Sequence, residues 1–216
     1  MTTLVVVVEG QSEEAFVNRL LRPLYAGKGI YLRPFLIQTS RAQSGGIHAY
    51  PKVKPQIERL CREAGVFVTT LFDLYALPNS FPGKDSAAYR ALITGRRKAE
   101  FLEQKWHEDM GRNNFIPNLI VHEFEALLFS DIDAIEGWKG KKELKALRAI
   151  IEMAGPEDIN DGSETAPSKR LKAAVPGYRK TSDGPQIAID IGLDKIRANC
   201  PHFDGWLRKI DALVPH

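Results

Sequence analysis

Two carboxylates stand at matching points of this chain. Glu9 closes the apolar run Leu4-Val5-Val6-Val7-Val8, and Asp73 closes a second run in GVFVTTLFDLYALP, residues 65–78. A carboxylate at the end of a buried strand is costly unless a donor, a proton or a cation uses it. A third acidic group, His122-Glu123-Phe124-Glu125, follows the apolar run NLIV. In a parallel α/β sheet the C-terminal strand ends share one edge, where sites form. Carboxylates gathered there repel unless a cation or a proton lies between them. Mg²⁺ suits such a place: it takes oxygen ligands and often needs only one or two carboxylates plus substrate phosphates. If Glu123 or Glu125 reaches the same edge, either could complete the shell.

Each residue also has a structural reading. Glu9 could set a turn or favour the next helix N-terminus, and Asp73 could be a turn residue before Pro78. His122 fits a turn-holding hydrogen bond better than a metal ligand, because one His beside two Glu is not a metal-binding spacing. One of Glu123 and Glu125 fits a helix N-terminal acid. The runs Arg96-Arg97-Lys98 and Lys139-Gly140-Lys141-Lys142 read as solvated faces or as phosphate contacts. Trp106, Trp138 and Trp206 stack bases or, more commonly, pack. His48, in its Gly-rich loop, has no partner in view.

The elements that must position these groups follow from local pattern. Residues 4–8 form a continuous apolar run, which predicts a strand buried on both faces. Gly10 then gives a turn, and Phe16 and Leu20 lie on one face of a following helix that carries Glu13 and Glu14 in its first turn. Further strands are predicted at 31–39 and 65–78, and helices at 52–64 and 86–110, the latter bent or interrupted near Gly95. Residues 115–129 start extended and turn helical, 131–154 are mainly helical, and the Gly/Pro/Ser/Lys-rich stretch 155–185 reads as loops around the site. Two short helices close the chain. The pattern predicts an α/β domain with a mostly parallel sheet of about four strands between helices.

Composition narrows the class. The chain has 216 residues, 44% hydrophobic and 26% charged, enough for a sizeable core in one domain: a core over about 1–130 and a helical, basic-loop elaboration over about 131–216. Cys61 and Cys200 have no metal-like spacing, which suits a reducing cytoplasm. No apolar run reaches transmembrane length, so no membrane role is expected. A net charge of +3 permits a polyanionic partner without demanding one.

The early Glu-Gly followed by an Asp after a later strand resembles the Toprim domain shared by topoisomerases, primases and nucleases of the overcoming-lysogenization-defect type. More closely, VEGQSEEAF (8–16), LFDLYALP (71–78), HEFEALLFSD (122–131), PSKRL (167–171) and the Tyr178-x-Lys180 pair resemble a bacterial Toprim-like family of unknown function, often encoded beside an ATPase. The resemblance implies a Rossmann-like Toprim fold and Mg²⁺ or Mn²⁺ held by Glu9, Asp73, Glu123 and Glu125. The activity implied is metal-assisted phosphodiester hydrolysis. Glu9 would be ligand or general base, Asp73 the main ligand and Glu125 a further acidic group. Lys180 would stabilise developing negative charge. His122, Ser168, Lys169, Arg170 and Tyr178 would hold substrate. Nucleic acid and an ATPase are the implied partners, in defence or nucleic-acid maintenance.

One departure stands out. Toprim carries a second aspartate where this chain has Tyr75, a poor Mg²⁺ ligand. A non-catalytic module with a decayed site, binding nucleic acid or regulating an ATPase, is therefore the alternative. Convergence of Glu9, Asp73 and Glu123 or Glu125 favours the enzyme; Tyr75 filling that space favours the module. A nucleotide-binding protein ranks last, for want of a Walker-type loop.

Overall fold

A computed structural model of the chain describes residues 1–38, 47, 49–75, 77–138, 144–159, 162 and 165–214. His48 and the Lys139–Lys142 run lie outside the described residues, as does most of the loop expected at 40–51. Strands β1 (Thr2–Val8), β2 (Ile30–Leu36), β3 (Val66–Asp73), β4 (Phe115–Ile116) and β5 (Leu119–Ile120) form one sheet in the order β2-β1-β3-β4, with β5 continuing alongside β3. Every pairing is parallel. The register sets Val8 beside Leu71 and Asp73 beside Ile120. Glu9 and Asp73 thus leave the sheet at the same edge, on neighbouring strands.

Both faces of β1 are covered, which is why its apolar run does not alternate with polar residues. Leu4, Val6 and Val8 enter one core, and Val5 and Val7 enter the other. The second core lies under α3 (Tyr50–Cys61), the single turn α4 (Ala87–Arg90) and α5 (Gly95–Met110), with Trp106 at its centre. The first core takes Phe16 from α1 (Gln11–Phe16), then Val17, Leu20 and Leu21 from a π-helical turn (Val17–Leu21) and Tyr25 from α2 (Arg22–Ala26). The same core takes residues of α6 (Phe124–Leu128), α7 (Ile132–Trp138), α8 (Lys145–Ala154), α9 (Pro167–Ala174), α10 (Lys180–Ile191), α11 (Leu193–Asn199) and α12 (Pro201–Asp211). The C-terminal helices therefore build a layer of the sheet sandwich, because their apolar faces have no other core to enter.

One expectation holds and two are revised. The helical stretch over 86–110 is interrupted just before Gly95: it is two helices, the second capped by Thr94, whose hydroxyl accepts from Arg97 N at 3.3 Å. Gly95 marks that break because a Cβ there would meet Val121 at 2.8 Å and the His122 ring at 3.0 Å. The stretch 155–185 holds helices α9 and the start of α10, and the closing segment forms three helical pieces instead of two. Pro167 stands in the first turn of α9, where proline costs no hydrogen bond.

Candidate functional site

The opening strand delivers Glu9 to the sheet edge, where its Oε1 accepts from the backbone N–H of Asp73 at 2.7 Å. Asp73 spends one oxygen in turn: Oδ1 accepts from Phe124 N at 2.9 Å, capping α6. That helix then presents Glu125, which is 0% exposed. Glu125 Oε1 accepts from the Tyr178 hydroxyl at 3.4 Å, and its Oε2 lies 3.1 Å from Lys180 Nζ. The same ammonium stands 3.7 Å from Asp73 Oδ2. Lys180 thus bridges two carboxylates brought from distant parts of the sequence.

A fourth carboxylate joins them. Glu13, in the first turn of α1, is buried, and a Cβ on Gly10 would lie 3.0 Å from its Oε2. The sequence pattern places Glu13 in a first helical turn, where an acid suits the helix dipole. The signal that could have found it is its spacing from Glu9, which brings it back to the strand end one helical turn later. Burial raises all four carboxyls. It lifts Glu9, with help from Glu13, to about 8, and lifts Asp73 well above the usual carboxylate range against the pull of Lys180. Glu13 and Glu125 are raised chiefly by burial as well. For Lys180 burial acts to lower the pKa, but Asp73, Glu125 and Glu13 outweigh it and the net shift is upward.

The other expected residues sit around this cluster in different ways. Glu123 is the N-cap residue of α6, and its Oε2 accepts from Ser168 N at 3.3 Å. Ser168, Lys169 and Arg170 form the first turns of α9, with Arg170 Nε donating to Thr165 O at 2.6 Å. His122 holds a left-handed turn at φ 67° between β5 and α6; its Nε2 lies 3.0 Å from Glu157 O and its carbonyl accepts from Tyr75 N. His is among the residues that tolerate this conformation. Tyr178 is buried over Gly184, where any Cβ would stand 2.7 Å from its hydroxyl. Tyr75 is 42% exposed, so it does not pack among the buried carboxylates.

The positions of Lys180 and its helix are fixed from the backbone. Ser12 Oγ donates to Lys180 O at 3.2 Å, joining α1 to α10. Asp183 Oδ2 accepts from Arg179 N at 2.9 Å at the start of α10. Neither Ser12 nor Asp183 was expected from the sequence.

The donor set suits a hard divalent ion. It consists of carboxyl oxygens, and only one ammonium, Lys180, is paired with them. Glu125 Oε2 is paired with the Lys180 ammonium alone, at 3.1 Å. Among the described residues, no three acidic, His or Cys side chains yet converge as a chelating group. The reason lies in the contacts above: Glu9 and Asp73 each give an oxygen to a backbone N–H, and Lys180 stands between Asp73 and Glu125.

Two solved structures are similar to this chain. The C-terminal region of the Burkholderia pseudomallei OLD protein matches with 18% identity and a TM-score of 0.49 over 98% of both chains. The C-terminal region of the Xanthomonas campestris pv. campestris OLD protein matches with 15% identity and a TM-score of 0.37, over 98% of this chain and 97% of that one. No curated protein matches. A family model does, over nearly the whole chain: residues 8–211 place this protein in the DUF4276 family, a domain of unknown function.

Proposed function

We propose that the chain is a Toprim-like, Mg²⁺- or Mn²⁺-dependent nuclease that hydrolyses phosphodiester bonds in nucleic acid. The observation that carries this reading is the set Glu9, Glu13, Asp73 and Glu125 at one sheet edge beside a single ammonium, Glu13 and Glu125 buried and Glu9 and Asp73 half-buried. Carboxyls crowded in this way favour binding a proton or a cation over standing ionised, which is why their pKa values are raised. Glu9, Asp73 and Glu125, with Glu13 beside them, would hold the ion. A bound divalent ion would supply Lewis-acid polarisation of the phosphate and lower the pKa of a bound water.

The chain's own residues divide the remaining work. Glu9 would serve as ligand or as general base; in the metal-free chain burial, with Glu13, lifts it to about 8. Lys180 carries a positive charge to the edge where charge builds on the phosphate. Tyr178 orients Glu125 through its hydroxyl. Lys169, Arg170 and Arg179 supply positive charge from the starts of α9 and α10 for a polyanionic strand. An ATPase partner, and a role in defence or nucleic-acid maintenance, follow from the resemblance of the sequence motifs. A cytoplasmic place is favoured by the free buried thiols Cys61 and Cys200.

The alternative, a non-catalytic module, draws on the same ammonium: Lys180 would neutralise a retired site. Tyr75 stands outside the carboxylate cluster, which weakens that reading. The deciding experiment is an anomalous-difference map from Mn²⁺-soaked crystals, paired with cleavage assays on single- and double-stranded DNA and RNA. A peak beside Asp73 that vanishes in Asp73→Ala, with cleavage lost in parallel, is expected. No Mn²⁺ peak, either alone or with a short oligonucleotide, would sink the enzyme reading.

A further inference from the structure

We propose that the Lys180 ammonium is the resident counter-cation of the carboxylate cluster, and that a divalent ion binds only by displacing it. The inference rests on the metal-dependent reading above and deepens it. Lys180 Nζ lies 3.1 Å from Glu125 Oε2 and 3.7 Å from Asp73 Oδ2, between the two side chains that would hold the ion. An ammonium and a divalent ion a few ångströms apart in a buried site repel strongly, so the two do not share the place.

The backbone around Lys180 is held from outside the cluster, while its side chain is paired with Asp73 and Glu125, the carboxylates that an ion would take. Ser12 grips its carbonyl, and Asp183 fixes the turn just before it. The Lys180 side chain is 37% exposed, so its four-carbon stem has a path toward solvent. The displaced ammonium remains tethered at the sheet edge, where an incoming anion would meet it. Loading of the site is then an exchange of one cation for another.

The test compares Mn²⁺ binding, read by electron paramagnetic resonance of the free ion, in the wild type, Lys180→Met and Lys180→Arg. Lys180→Met is expected to bind Mn²⁺ more tightly by about tenfold or more, because the competing charge is gone. Lys180→Arg, which keeps the charge, is expected to bind as weakly as the wild type. On the wild-type chain, acylation of Lys180 by an amine-reactive ester, read by mass spectrometry, is expected to rise several-fold at saturating Mn²⁺, with exposed Lys209 unchanged as reference. Equal or weaker Mn²⁺ binding by Lys180→Met overturns the displacement and leaves the metal site standing. If that variant does not fold, unchanged Lys180 labelling in Mn²⁺-loaded wild type overturns it instead. If neither wild type nor variant binds Mn²⁺, the metal-dependent reading falls, and the displacement falls with it.

Discussion

Two groups of buried carboxylates in this molecule are spent in opposite ways. Glu103 and Glu157 tie the helical layers together. Glu157 accepts from His202 N at 2.8 Å and Phe203 N at 3.0 Å, satisfying the first turn of α12. Glu103 Oε1 accepts from Leu119 N at 2.8 Å and meets the His202 ring at 2.9 Å. Each charge there is matched by donors, as a structural role requires. At the sheet edge, Glu9, Glu13, Asp73 and Glu125 gather around one lysine. Burial of acids is common to both groups, so burial alone does not identify a site. Acids that repel one another at one edge do.

The sharpest way to break this comparison is to remove one charge from each group. Asp73→Asn keeps an oxygen for the Phe124 N–H and deletes only the charge. Cleavage is expected to fall by roughly 10²-fold or more, the scale of losing one electrostatic group at a reacting centre. Thermal stability without metal is expected to hold or rise, because the cluster loses a repelling partner. A variant that cleaves normally, or one that melts earlier, would place Asp73 with the structural acids.

Some of this contrast was legible in the sequence. The unbroken run at Leu4–Val8 announced a strand covered on both faces, the largely apolar Val66–Phe72 announced another strand, and Glu9 and Asp73 stood visibly at their ends. The meeting of Glu125 with Lys180 was not readable from spacing, since it depends on α10 folding back across α6. Glu13 was hidden by a sound rule: an acid in a first helical turn usually faces water. The helices within 155–185 were masked by their breakers. Gly184 reads as a loop residue, yet it stands inside α10 because Tyr178 and Phe124 leave no space for a side chain. Glu103 and Glu157 carried no signal, because their partners, backbone N–H groups and the His202 ring, are set by tertiary packing.

Glu157→Ala tests the structural group. It strips both acceptors from the start of α12 and is expected to cost about 1–3 kcal/mol in denaturant unfolding, with Mn²⁺ binding per folded molecule unchanged. A cost near zero would mean that water replaces the carboxylate, and the group would no longer count as a staple. Gly184→Ala is a smaller perturbation with competing terms. The new Cβ would lie 2.7 Å from the Tyr178 hydroxyl and 3.3 Å from the Phe124 ring. Overpacking of this kind costs about 1–3 kcal/mol, while alanine in a helix returns about 1 kcal/mol relative to glycine. A modest net loss is expected, with Tyr178 pushed off Glu125. Unchanged stability together with unchanged Mn²⁺ binding would remove Tyr178 from the list of residues that position the cluster.

The smallest expected effect is a pH dependence that separates the two groups. His202 is raised above its ordinary 6.5: burial opposes the charge, but the Glu103 carboxylate outweighs it. A histidine whose folded pKa exceeds its unfolded one binds more protons in the folded state between the two values. Its stabilisation is therefore complete below about pH 6.5 and is lost as pH rises through the folded value. Urea midpoints measured from pH 5.5 to 9 should fall with rising pH in the wild type more than in His202→Gln. Glu9, raised to about 8, adds its own slope to both curves, so the difference between them isolates His202. Parallel curves would mean that Glu103 gains nothing from a charged His202 and is satisfied by the Leu119 N–H alone. The structural group would then be held by neutral hydrogen bonds, and surplus charge would belong to the sheet edge by itself.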